Sequence, residues 1–132
     1  MMLLPVTAIY AALLGLMLLV LKFRVIGARR RLLVDVLDGG ERDVTRRMRV
    51  HGNFTEHVPI ALILMAIVEM NGAAAWNIHA LGVVLIISRV LHAHGLERTP
   101  GKSFGRATGV LGTTAVITSA ALLALRQFIL VG

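Results

Sequence analysis

One stretch of the sequence places charged and amide side chains directly before a long apolar segment. Arg46, Arg49, Asn53 and Glu56 recur at intervals of three, four and three residues, a spacing that aligns them along one face of a helix. The segment that follows them, 60–68, contains no polar residue. Ionisable groups at membrane depth are costly unless they pair or line a wet cavity, so this polar stripe is the first candidate for a functional site.

The polar stripe offers the groups that a small zwitterion requires. Arginine binds carboxylates, glutamate binds an ammonium group, and an amide side chain hydrogen bonds to a peptide link. Arg49, Glu56 and Asn53 supply these three kinds of group. Glutathione has the matching charges and carries a thiol, which this chain without cysteine lacks. The same residues could also form the proton relay of a transporter.

The five histidines raise the question of a metal site. His51 and His57 are six residues apart on a predicted helix, and the rings of His92 and His94 diverge by about 200° on a helix. Three convergent ligands do not follow from this spacing, and no cysteine is available, so we expect no metal. His79 lies among apolar residues and is interpreted as a hydrogen-bonded packing residue.

The composition indicates an integral membrane protein. The chain has 132 residues, of which 57% are hydrophobic and 16% are charged. A soluble domain of this size could not bury so much apolar surface. No linker or low-complexity tract divides the chain, so residues 1–132 are expected to form one all-α domain.

Four apolar runs are long enough to cross a bilayer as helices, which predicts a membrane-spanning four-helix bundle. The predicted helices cover residues 3–23, 46–70, 73–92 and 104–131. The second is expected to begin as a cytoplasmic extension and to kink near Thr55 because of Pro59. Positive charges follow the first apolar run rather than precede it, which favours a retained anchor over a cleaved signal peptide.

The distribution of lysine and arginine predicts the orientation in the membrane. Nine of the fourteen lie between Lys22 and Arg49, four more lie between Arg89 and Arg106, and the turn at 69–72 has none. By the positive-inside rule, the first and third connections face the cytoplasm and both termini face the opposite side. The net charge of +7 is interpreted as a topology signal and an attraction to anionic lipid head groups, so no nucleic-acid partner is expected.

Other charged residues have simpler interpretations. The arginines at 29–31 suit topology and anchoring to lipid head groups. The carboxylates of the first connection can pair with nearby arginines at a solvated surface, where such pairs contribute little. These carboxylates are Asp35, Asp38, Glu41 and Asp43. Arg89 could snorkel to the interface, or it could neutralise Glu56 across the bundle.

Small residues on the fourth predicted helix favour close packing against another helix. Gly105, Gly109 and Gly112 recur on one face, with alanines and threonines beside them. In lipid, where hydrophobicity cannot hold helices together, such residues permit the close approach of two backbones. We expect this face to hold a cyclic homo-oligomer together.

Segment 49–59 reads Arg-Val-His-Gly-Asn-Phe-Thr-Glu-His-Val-Pro, and it resembles the second-helix signature of the MAPEG family, the membrane-associated proteins in eicosanoid and glutathione metabolism. In that signature Arg, Asn, Glu and often Pro recur at these offsets. The resemblance extends to the chain length, the four helices and the basic first connection. It implies a left-handed bundle in a bacterial inner membrane, assembled as a homotrimer, with glutathione between neighbouring subunits near the cytoplasmic face.

The resemblance also implies roles for particular residues. Glu56 is expected to bind the amino group of glutathione, and His51 occupies a position that is often Gln in the family. His57 and His92 stand where eicosanoid-type members have tyrosines. The residues expected to bind glutathione are Arg49, His51, Asn53, Glu56, His57, Arg89 and His92.

The activity that the resemblance implies is that of a glutathione transferase or peroxidase, with glutathione as co-substrate and a lipophilic electrophile that arrives from the bilayer. A free thiol has a pKa of about 8.5, which an adjacent cation lowers. Arg106 or Lys102 is expected to be the catalytic cation that activates the thiol of glutathione. A non-catalytic binding or scaffold protein of the same fold is the first alternative, which the missing tyrosines favour, and a small transporter is the second.

Overall fold

The computed structural model describes residues 4–98 and 104–131, which form four helices and no strand. These helices are α1 (Pro5–Leu32), α2 (Arg42–Met70), α3 (Ala75–Arg98) and α4 (Phe104–Val131). Each is long and apolar enough to cross a membrane. The predicted all-α, four-helix membrane fold is therefore confirmed.

Three helices are longer than predicted, and the smallest difference is in α2, which begins at Arg42 rather than at residue 46. α1 ends at Leu32 rather than at residue 23, because its arginines are good helix formers and the last three lie in its final turn, where they complement the helix dipole. Leu33, in the left-handed conformation with φ 54°, ends it. α3 continues to Arg98 rather than residue 92, so the rings of His92 and His94 diverge.

The four helices pack around a central pair. α2 and α3 contact each other, and each of them also contacts both α1 and α4. Within the described ranges, α1 and α4 do not contact one another. Large side chains from all four helices fill the centre, with Leu14, Met65, Leu85 and Val116 at 2% exposure or less. Functional side chains can therefore be shared between α2, α3 and either outer helix.

The glycine face of α4 packs against α3 within the same chain. A Cβ atom added to Gly109 would lie 2.6 Å from the Ser88 carbonyl oxygen, and one added to Gly105 would lie 3.0 Å from that of Leu91. The two helix backbones therefore approach as closely as glycine permits. The expectation that this face holds an oligomer together was wrong, since α3 already occupies it; oligomerisation itself stays a prediction.

The connection between α1 and α2 turns sharply through residues with positive φ, including Gly39 and Gly40. The Asp38 carboxylate accepts hydrogen bonds from the Gly40 amide at 3.0 Å and the Thr45 hydroxyl at 2.8 Å. These bonds lower the pKa of Asp38. The expected surface ion pairs form at Asp43, which contacts Arg31 at 2.6 Å and Arg47 at 3.1 Å.

Side chains at the opposite end of the bundle bond to helix ends. α1 has no capping side chain of its own, but Glu69 of α2 accepts hydrogen bonds from the Val6 amide at 2.9 Å and the Thr7 amide at 2.8 Å. These N–H groups lack partners inside α1, and the positive end of the helix dipole favours a carboxylate. Gln127 of α4 similarly donates to the Val68 carbonyl at the end of α2, at 3.0 Å.

Glu69→Gln is expected to reduce the free energy of unfolding in mixed detergent micelles by about 1–2 kcal/mol, because glutamine carries no charge and keeps only one acceptor oxygen. Loss of helical circular dichroism with increasing sodium dodecyl sulfate measures this change. Glu41→Gln is the matched control, since Glu41 is exposed and its side chain caps no helix. Equal stability of the two variants would show that the Glu69 bonds do not stabilise the bundle.

Candidate functional site

The polar stripe lies on one face of α2 as predicted, and its charged members point away from the core. The core face of α2 is formed by residues such as Val50, Phe54 and Val58. Arg49 and Glu56 are exposed on the other side, while Arg46 and Asn53 are half-buried between the two faces. An arginine, an amide and a carboxylate are thus presented together from two turns of one helix.

The stripe reaches into the depth of a membrane. Glu56 lies fourteen residues before the end of α2 at Met70, or roughly 21 Å along the helix axis. A hydrocarbon core of about 30 Å that begins at Met70 would place Glu56 about 9 Å inside the opposite boundary and Arg49 close to it. A charged, exposed carboxylate at that depth requires a polar or protein neighbour.

Arg89 is the most deeply buried charged group of the site, with an exposed fraction of 2%. Its Nη1 donates to Asn53 Oδ1 at 2.8 Å, and its Nη2 donates to the Gly109 carbonyl oxygen at 3.0 Å. One guanidinium group on α3 therefore joins α2 and α4. The close approach of α4 at Gly109 is what brings that carbonyl within reach.

Neither interpretation of Arg89 from the sequence was correct. A side chain with 2% exposure does not snorkel, and among the described residues no ion pair joins Arg89 to Glu56. Arg89 instead fixes the orientation of the Asn53 amide: because Oδ1 accepts from the guanidinium, the Asn53 NH₂ group remains as a donor. Arg89 thus positions a stripe residue, and its expected contact with glutathione stays a prediction.

The expected ligand histidines lie in three different environments. His57 Nδ1 donates to the Asn53 carbonyl at 2.9 Å, so the ring is held against its own helix. His92 is buried, with 4% exposure, and its Cβ packs against Gly109 of α4. His57 is therefore held on α2 beside the polar stripe, and His92 contacts the start of α4.

His51 faces the opposite side of α2, about 200° around the helix from Arg49. It lines a cavity of about 240 Å³ between α1 and α2, with Lys22, Arg29 and Met48. The sequence did not identify this basic cavity, because α1 had been expected to end before Arg29. The residues predicted to bind one ligand are thus divided between two faces of α2.

The two candidate catalytic cations lie at the start of α4. Arg106 is exposed, and it lies one helical turn before Gly109, the residue of α4 that packs against His92. Lys102 lies outside the described residues. The structure therefore places one of the two cations beside the α2–α3–α4 network.

His79 has the packing role that the sequence predicted. Its Nδ1 lies 3.0 Å from the Tyr10 hydroxyl oxygen, and that hydroxyl also donates to the His79 carbonyl at 3.2 Å. The two rings pack edge to face, with centroids 5.8 Å apart. His79 therefore joins α1 to α3, away from the polar stripe.

Comparison with known proteins connects this architecture to one family. The family model described as MAPEG family matches residues 7–126. Inner membrane protein YecN of Escherichia coli strain K12 is 41% identical over 92 residues, which cover 70% of each chain. The protein of the same name from Escherichia coli O6:H1 strain CFT073 matches with the same identity and coverage.

A double-mutant cycle of Asn53→Ala and Arg89→Gln should give a coupling free energy of about 1.5–3 kcal/mol, the usual range for a hydrogen bond to a charged group. Unfolding in mixed micelles measures the two single variants and the double variant. Arg89→Gln combined with Tyr10→Phe is the control, which should be additive to about 0.5 kcal/mol because the two residues share no partner. Additivity in the first pair would contradict the proposed positioning of Asn53.

Proposed function

The chain belongs to the MAPEG family, and from this premise we propose that it is an integral membrane protein that binds glutathione and conjugates it to lipophilic electrophiles. One observation carries the proposal: Arg49, Asn53 and Glu56 share a face of α2 that runs inward from the membrane boundary, and the buried Arg89 fixes the amide among them. That arrangement offers a zwitterionic ligand a guanidinium donor, an amide N–H donor and one carboxylate acceptor.

Each group of the stripe has a partner on glutathione. The Glu56 carboxylate accepts from the ammonium group, and the Arg49 guanidinium binds a carboxylate through paired N–H donors. The Asn53 NH₂ group, left as a donor by the bond from Arg89, binds a carbonyl or carboxylate oxygen. A neutral or purely cationic ligand would leave Arg49 unpaired.

The second part of the proposed site comes from a neighbouring copy. Hydrocarbon cannot solvate the exposed Glu56, whereas a second protein chain can cover it together with Arg49 at the membrane boundary. Glutathione has a second carboxylate. When two copies meet, the basic cavity on the other side of α2, with Arg29 and His51, supplies positive charge for this group. This division favours sites between subunits, and the resemblance to the family favours a homotrimer as the assembly.

The proposed reaction begins with ionisation of the bound thiol. A cation beside the sulfur stabilises the thiolate, which then attacks the electrophilic carbon; a C–S bond forms and the leaving group departs with its electron pair. Arg106, one helical turn before Gly109 on α4, is the first candidate for this cation, and Lys102 is the second. An apolar electrophile reaches this site from the bilayer.

A non-catalytic glutathione-binding protein is the second candidate. His57 and His92 favour this candidate. Both were expected to bind glutathione, but His57 bonds to its own helix and His92 is buried. This candidate keeps the binding site and lacks the transfer step.

We propose a bacterial inner membrane as the location of the protein. The name of the E. coli relative, inner membrane protein, supports this location. The excess of lysine and arginine in the first and third connections favours an orientation with both termini on the non-cytoplasmic side.

The experiment that separates the two candidates combines calorimetric titration of the detergent-purified protein with glutathione and an assay of glutathione with chlorodinitrobenzene. Binding together with turnover supports the conjugating enzyme. Binding without turnover, against several electrophiles, supports the non-catalytic protein. Absence of glutathione binding to the intact oligomer would refute both.

Glu56→Gln should weaken glutathione binding by roughly tenfold or more, because it removes the charge opposite the ammonium group while keeping the side-chain shape. Calorimetry on the purified oligomer measures the dissociation constant. Glu41→Gln makes the same chemical change in the first connection, outside the proposed site, and should bind as the parent does. Parent-like binding by Glu56→Gln would leave the stripe as a structural ion network only.

The rate of conjugation should rise with pH as the bound thiol ionises, whereas glutathione binding should stay nearly constant across neutral pH. Arg106→Ala or Lys102→Ala should raise the pKa of the bound thiol and lower the rate at pH 7 in whichever variant has lost the activating cation. Thiolate absorbance in the ultraviolet reports the ionisation, and Arg126→Ala, at the far end of α4, is the control. A parent thiol that titrates as in free solution would refute activation.

A further inference from the structure

A second groove lies between α1 and α3, apart from the proposed glutathione site. It has a volume of about 250 Å³, and Met17, Val20, Arg24, Val90 and His94 are among its lining residues. Arg24 lies about 200° around α1 from Lys22, which lines the α1–α2 cavity. His94 likewise diverges by about 200° from the buried His92. The groove is therefore a separate feature of the molecule.

The polar and apolar parts of this groove are separated along the helix axes. α1 and α3 cross the membrane in the same direction, because α2 returns between them. Arg24 is nineteen residues beyond Pro5, and His94 is nineteen residues beyond Ala75. Each distance corresponds to about 28 Å of helix, close to the thickness of the hydrocarbon core. Both basic side chains therefore lie near one membrane boundary.

The rest of the groove extends from that boundary toward the membrane interior. Met17 is two helical turns, about 10 Å, deeper than Arg24. Val20 and Val90 are 57% and 52% exposed, so their apolar side chains are open to an occupant. A groove with two basic groups at the head-group level and apolar walls below matches the shape and charge of a phospholipid.

We propose that this groove binds one anionic glycerophospholipid. Arg24 and His94 bind the head-group phosphate, and an acyl chain lies along Met17, Val20 and Val90. Arg24 also makes another interaction within the protein, but a guanidinium group has five N–H donors and can bind two partners. The ligand class follows from the charge at the boundary, and it does not depend on glutathione binding.

The test uses delipidated, detergent-purified protein titrated with phosphatidylglycerol and followed by native mass spectrometry. The parent should bind phosphatidylglycerol in preference to zwitterionic phosphatidylcholine. Arg24→Gln should weaken phosphatidylglycerol binding by about fivefold, the expected effect of one basic residue near an anionic lipid, and adding His94→Ala should weaken it further. Lys22→Gln is the matched control, because it removes one charge at nearly the same depth from the other side of α1, and it should bind as the parent does.

Three results would overturn the proposal. Equal weakening by Lys22→Gln and Arg24→Gln would mean that general surface charge attracts the lipid. Displacement of the lipid by millimolar inorganic phosphate, with the same dependence on Arg24, would identify free phosphate as the ligand. Unchanged lipid binding in the double variant, together with dissociation of the oligomer, would show that a second copy of the chain occupies the groove.

Discussion

The arrangement of the site depends on a positive charge buried between three helices. Burying a guanidinium group is costly unless its donors are bonded, and Arg89 bonds to an amide of α2 and a backbone carbonyl of α4. The second bond requires close approach of α4, which Gly109 allows. The burial of Arg89 is therefore one constraint that links three features: the close packing of α3 and α4, the orientation of Asn53 and the placement of the polar stripe.

How far the sequence predicted this molecule depended on the range of each interaction. The helices and the stripe follow from local periodicity, so the four spans and the shared face of Arg49, Asn53 and Glu56 were predicted correctly. The partner of Arg89 on α4 was not predicted. It is the backbone carbonyl of Gly109, twenty residues away, and a backbone carbonyl cannot be identified from the pattern of side chains. The basic cavity beside His51 was missed because hydropathy ended α1 too early.

The division of polar groups between two faces of α2 changes how the site is understood. A site confined to one chain would need Arg49 and His51 on the same side, and helix geometry places them about 200° apart. Local spacing therefore identifies candidate residue types but gives no information about which residues meet in one chain. In a membrane, the exposed polar face of α2 must be covered by protein or ligand. A ligand-binding interface would cover this face and would also pair its charges.

The bonds from Glu69 to the first turn of α1 connect the order of synthesis to the order of assembly. α1 precedes α2 in the chain, so the amides of Val6 and Thr7 gain the Glu69 carboxylate only after residue 69 has been made. Two N–H groups in the first turn of α1 thus depend on the last turn of α2, and a chain truncated before residue 69 would lack the carboxylate that satisfies them.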